Sequence, residues 1–89
     1  MREIIVEIKN EAGLHARPSS KFVELVSEYD SEIIVKTDEE EINGRSIMGL
    51  MLLAAEKGRK LTISADGPDE EEVLKALKVL IEEEKFNEI

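Results

Sequence analysis

Gly13-Leu14-His15-Ala16-Arg17-Pro18 holds the only histidine of the chain and stands where an alternating, strand-like pattern gives way to a helical one. Proline fixes φ near helical values and lacks the N–H that a first helical turn leaves unbonded, so Pro18 marks the opening of a helix. His15 then lies at or just before that helix's N-terminus. Free backbone N–H groups and the positive end of the helix dipole favour an anion there. Arg17 adds a permanent cation two residues on. A nucleophilic ring nitrogen, an anion-favouring helix end and a guanidinium together point to a histidine that accepts a phosphoryl group and holds it. The same six residues also fit a histidine that merely caps a helix beside a solvated arginine.

Working outward, residues 2–8 set Ile4, Val6 and Ile8 against Glu3 and Glu7, the alternation of a half-buried strand. A loop with Asn10 and Gly13 follows. Residues 16–28 place Ala16, Ser19, Val23 and Val26 at helical spacing, and Phe22 and Leu25 widen the apolar stripe. Residues 32–36, built round Ile33-Ile34-Val35, and residues 40–42 form a hairpin across the polar turn Thr37-Asp38-Glu39. After Asn43-Gly44, Ser46 takes the N-cap of a short helix over 47–53.

Residues 60–65 alternate Leu61, Ile63 and Ala65 with Lys60, Thr62 and Ser64, which predicts one buried and one wet face. The last helix follows Gly67-Pro68. Asp69 and Glu72 fit a capping box, Val73, Leu74, Leu77, Leu80 and Ile81 form the buried stripe, and Phe86 and Ile89 tuck the tail. The order β-α-β-β-α-β-α predicts an α+β fold, a two-layer open-faced sandwich with a four-stranded antiparallel sheet and three helices on one face. Residues 1–89 read as a single domain.

Composition narrows the function. The chain has 89 residues and no cysteine, which removes disulfides, thiol nucleophiles and cysteine metal sites. A lone histidine without a partner carboxylate at ligand spacing argues against a metal centre, a cofactor or a free-standing hydrolase. The formal charge of −9 argues against nucleic acid as a direct partner. The N-terminus alternates charged with apolar residues, unlike a signal peptide, and the longest apolar run, from Ile47 to Ala55, is too short to insert into a membrane. A cytoplasmic protein, monomeric at this size, is the expectation.

The segment Ile47-Met48-Gly49-Leu50-Met51-Leu52-Leu53 is apolar on every side, whereas a surface helix needs one such face. If Leu50 and Leu53 serve the core, Ile47, Met48 and Met51 are left as an uncovered patch, and methionine suits a surface that fits several partners. A helix buried on both sides is the alternative. Phosphorylation of Ser46 would place about two negative charges at a helix N-terminus beside that patch, leaving the fold intact while repelling an acidic partner.

The hexapeptide, followed by Asn43-Gly44-Arg45-Ser46-Ile47-Met48-Gly49-Leu50-Met51 and by Lys57-Gly58 to Gly67, resembles the HPr family. These are the histidine-containing phosphocarriers of the phosphoenolpyruvate:sugar phosphotransferase system. The resemblance runs over essentially the whole chain. It implies that His15 takes a phosphoryl group on Nδ1 from phosphorylated enzyme I and passes it to the A domains of sugar-specific enzymes II. Arg17 and the start of the first helix, with Ala16 and Pro18 in the same loop, then steady the phosphate. It also implies modification of Ser46 by an ATP-dependent HPr kinase/phosphorylase, docking of that form on the catabolite control protein, and a partner surface at Ile47, Met48 and Met51. Ser19-Ser20 stands where the family more commonly has small apolar residues or threonine. Other readings of the same residues are a serine-switched regulatory module without a carrier role, and a carrier in a nitrogen-linked relay.

Overall fold

The computed structural model describes residues 1–53 and 55–87. Its elements are β1 (Arg2–Glu7), α1 (Ala16–Val26), β2 (Glu32–Lys36), β3 (Glu41–Asn43), α2 (Ile47–Leu53), β4 (Lys60–Asp66) and α3 (Glu70–Lys78). A π-helical turn over Val79–Glu83 and a tight turn over Lys85–Asn87 follow α3. The strands form one antiparallel sheet in the order β1-β4-β2-β3. The two-layer α+β sandwich expected from the sequence is the fold observed.

Register explains why one face of the sheet is dry. Ile4 pairs with Ile63, Ile63 with Val35 and Val35 with Ile42, an apolar row crossing all four strands. Val6 opposite Leu61 and Ile33 opposite Ala65 fill the neighbouring rows. Against this face the helices bury Phe22 and Val26 from α1, Leu50 and Leu53 from α2, and Val73, Leu74 and Leu77 from α3. Each such side chain is worth about 1.5–3 kcal/mol when fully buried.

The opposite face leaves Ile5 exposed, but Ser64, expected on the wet side, is buried. The cause is its central position. Ser64 lies between Glu3 and Ile34, Thr62 between Ile5 and Lys36, and the Lys36–Glu3 ion pair at 3.3 Å runs diagonally over β4 between them.

Other boundaries also shift for local reasons. The β2–β3 turn extends through Glu40, because Thr37 N–H bonds the Glu40 carbonyl while Thr37 Oγ1 accepts the amides of Glu39 and Glu40. Strand β3 therefore starts at Glu41 and includes Asn43. The first helix stops at Val26, and its buried row is Pro18, Ser19, Phe22 and Val26. Ala16, expected in that stripe, is exposed at the lip of a cleft.

The capping box is a larger correction. Asp69 gives α3 no side-chain cap. Its carboxylate instead accepts the amides of Asp30 and Ser31, at 2.8 and 3.0 Å, and the Ser31 hydroxyl. Glu70 reaches back in place of Glu72, accepting the Gly67 amide at 3.2 Å.

Those hydrogen bonds hold both carboxyls below the usual range, the Ser31 hydroxyl acting most on Asp69 and the Gly67 amide most on Glu70. Arg45 completes the clamp on the α1–β2 loop by donating to the carbonyls of Tyr29 and Ser31. Leu80 and Ile81 are buried as the stripe requires, although they fall in the π-helical turn. Phe86 is buried, and Ile89 lies outside the described residues.

Candidate functional site

His15 is the N-cap of α1, with extended backbone (φ −83°, ψ −169°) and an exposed side chain that makes no cap hydrogen bond. The first helical bond runs from the Ser19 amide to the His15 carbonyl at 3.0 Å. The amides of Ala16 and Arg17 precede it and have no intrahelical partner. Pro18 has no N–H to offer an anion, so its part is the preset φ of the first turn and a ring buried against the core. No acidic side chain stands in that turn. Arg17 is exposed and enters no ion pair among the described residues.

What aims this helix end is a set of hydrogen bonds among loop and helix residues whose partners the sequence does not announce. Gly13 has φ +69°, and a Cβ there would stand 2.3 Å from the Ala55 carbonyl oxygen. Only glycine permits both the left-handed turn and that approach. The adjoining Leu14 amide then donates to the same Ala55 carbonyl at 2.9 Å. The Asn10 side-chain amide donates to the Gly13 carbonyl at 2.9 Å, and the buried Ser19 hydroxyl donates to the Leu14 carbonyl at 3.4 Å. The backbone on the N-terminal side of His15 is thus tied to three separate parts of the chain. Asn10 standing three residues before a glycine was the one available signal, because Asn side chains commonly bond turn backbone.

His15 and Arg17 line an open cleft of about 680 Å3 whose other walls include Met51, Glu56 and Phe86. Met51 also belongs to α2, where Leu50 and Leu53 are buried while Ile47, Met48, Met51 and Leu52 are exposed. The predicted patch is therefore uncovered. Leu52, 75% exposed, joins it although the sequence reading had not singled it out. Through Met51 the patch is continuous with the cleft.

Ser46 caps α2, its Oγ accepting the Gly49 amide at 2.9 Å. The turn leading into it is fixed by the Arg45 amide on Asn43 Oδ1 at 2.8 Å and the Ser46 amide on the Asn43 carbonyl at 3.0 Å. Among the described residues, no group of three or more His, Cys, Asp or Glu side chains is disposed to hold a metal ion. No helix among them is long and apolar enough to cross a membrane.

A family model described as the PTS HPr component phosphorylation site matches residues 2–83. The phosphocarrier protein HPr of Neisseria meningitidis is 49% identical over 76 residues, covering 85% of each chain. The HPr-like protein Crh of Halalkalibacterium halodurans is 43% identical over 84 residues, 94% of this chain and 100% of that one. Among solved structures, HPr of Thermoanaerobacter tengcongensis superposes with a TM-score of 0.93 at 48% identity, covering 100% of this chain and 99% of that one. A dimer structure of HPr from the same organism gives 0.74 at 47% identity, covering 96% and 98%.

Proposed function

The chain belongs to the HPr family of phosphocarriers of the phosphotransferase system, and from that premise we propose that it takes a phosphoryl group on His15 from phosphorylated enzyme I and passes it to the A domains of sugar-specific enzymes II. The observation that carries the reading is an exposed histidine at a helix N-terminus left open by its own side chain, beside an arginine outside any ion pair among the described residues. In the first transfer a ring nitrogen of His15 forms a bond to phosphorus as the bond from phosphorus to enzyme I breaks, and enzyme I keeps that electron pair. In the second the His15 nitrogen–phosphorus bond breaks, the ring keeping its pair, as the acceptor's nucleophile bonds phosphorus. The Ala16 and Arg17 amides and the Arg17 guanidinium face the phosphoryl oxygens, and Pro18 keeps the first turn in register for them.

A helix end contributes about 0.3–1 kcal/mol towards such an anion, enough to favour the adduct without trapping it. The chain acts as one domain, residues 1–89, cytoplasmic and monomeric, a relay intermediate with no turnover and no cofactor of its own. Phosphoryl transfer from phosphoenolpyruvate through enzyme I tests this. An acid-labile adduct by phosphorus NMR, absent in His15→Ala and discharged by an enzyme II A domain, is the expected result.

A second, regulatory role is supported by Ser46. Its hydroxyl sits at the N-terminus of α2, the helix that exposes Ile47, Met48 and Met51 as an apolar surface. We read Ser46 as the site used by an HPr kinase/phosphorylase. The phosphorylated face would then dock on a catabolite control protein and meet enzyme I poorly, because about two added charges stand on the surface that enzyme I must cover. Phosphate on Ser46 with none on His15 would instead favour a serine-switched module, and failure with sugar-specific acceptors alone would favour a nitrogen-linked relay.

A further inference from the structure

Residues 84–87 lie beyond the segment that the family model matches, yet Phe86 ends in the wall of the His15 cleft. The path taken to get there is costly. Lys85, Phe86 and Asn87 occupy three successive left-handed conformations, with φ of 50°, 58° and 55°. A non-glycine residue in that region costs about 1–2 kcal/mol, and of the three only asparagine adopts it readily. A helix C-terminus needs at most one such residue.

The strain is held by what it achieves. The Phe86 side chain is 1% exposed, and the turn packs against α1. Burial of a phenyl ring returns about 1.5–3 kcal/mol. The Asn87 amide donates to the Glu84 carbonyl at 2.8 Å, and the Glu84 amide to the Val79 carbonyl at 2.8 Å, so the turn is anchored in the π-helical segment.

The phenyl shares the cleft with Leu14 and Pro18, the buried residues on either side of the exposed stretch from His15 to Arg17. The imidazole itself makes no cap hydrogen bond that would fix it. Its position is therefore inherited from the backbone it sits on and from what that backbone rests against. We propose that Phe86 is a positioning residue for phosphoryl transfer: its ring is the floor on which the His15 loop rests, and it sets where the imidazole meets the incoming phosphorus. Phe86 touches no reacting atom. The proposal rests on the carrier reading above.

The test compares the wild type with Phe86→Ala, Phe86→Leu and, as a core truncation remote from the cleft, Leu74→Ala. All are assayed at a temperature where circular dichroism shows each folded. With phosphoenolpyruvate and enzyme I, Phe86→Ala is expected to lower kcat by about ten- to a hundredfold and to leave KM within about twofold. Phe86→Leu restores most of the rate, and Leu74→Ala keeps the wild-type kcat.

The ring protons of the single histidine should shift in Phe86→Ala and stay in place in Leu74→Ala. Equal kcat in Phe86→Ala and Leu74→Ala, or a change confined to KM, overturns the proposal. If Phe86→Ala does not fold, Phe86→Val takes its place, a kcat well below that of Phe86→Leu supporting the proposal and a kcat equal to that of Leu74→Ala refuting it. If the wild type accepts no phosphoryl group, the carrier reading fails, and the His15 ring shifts still decide separately whether Phe86 sets the ring's position.

Discussion

Helices α1 and α2 begin with opposite arrangements. At α1 the N-cap side chain is turned to solvent and leaves the first amides open. At α2 the Ser46 hydroxyl already satisfies the Gly49 amide. An anion can join the first end without displacing anything, whereas a charge added to Ser46 must take over a hydrogen bond the fold already uses. The open end suits a group that arrives and leaves on every cycle. The closed end would suit the modification proposed for Ser46, one that persists until it is removed, and partners would feel it through the exposed apolar residues of the same helix.

The largest expected effect breaks the open end. His15→Ala removes the proposed acceptor, and transfer from phosphoenolpyruvate should fall to background while the melting temperature holds, since the side chain is exposed and makes no cap bond. Gly13→Ala attacks the same end from beneath. Its Cβ collides with the Ala55 carbonyl at a position of positive φ, so a loss of about 2–4 kcal/mol in denaturant unfolding is expected, with slowed transfer in the fraction that folds.

Ser46→Ala probes the closed end. It should cost about 1 kcal/mol, or about 4–8 °C of melting temperature, and leave the His15 rate intact. A rate loss as large as that of Gly13→Ala would erase the distinction between the two ends.

The start of α3 offers a third case, because the Asp69 carboxylate is spent on Asp30 and Ser31 rather than on its own helix. Asp69 and Glu70 both titrate below the ordinary carboxylate range in the folded chain. The stability they contribute is therefore complete above the unfolded-state values and drains away as pH falls from about 4 through the lowered ones. Asp69→Asn should flatten that acid limb in melting curves recorded against pH, and an unchanged limb would place the linkage elsewhere. The smallest stability effect belongs to Met48→Asp on the exposed patch, within about 0.5 kcal/mol. Its consequence should appear as a raised KM for partner proteins, and a large drop in melting temperature would show instead that Met48 is structural.

Much of this architecture was legible because its determinants are local. The alternation in β1 and β4, the bounds of α2 and the Ser46 cap all follow from neighbours within a few residues. What escaped depends on partners distant in sequence. Asp69 has the sequence of a cap and the structure of a loop clamp, because Ser31, 38 residues earlier, competes for it and wins.

Ser64 alternates with the wet face and is covered by an ion pair from the two neighbouring strands. Of the candidate site, His15 and Arg17 were singled out from residue chemistry alone, and the structure brings them together at one cleft. The ties that aim them, through Ser19 and Ala55, could not be read that way, and although the apolar tail announced that Phe86 would tuck in, no local pattern announces the left-handed lysine-phenylalanine-asparagine turn that carries it.

The sheet order carries a consequence for how the chain is made. β1 is synthesised before the other three strands and has one strand neighbour, β4, which ends at Asp66. At about 5–20 residues per second, the first strand waits several seconds for its partner, while the β2–β3 hairpin forms from adjacent residues. That interval is when an unpaired apolar strand is most open to the wrong neighbour. The charged residues Arg2, Glu3 and Glu7 that punctuate β1 shield the nascent chain during that wait.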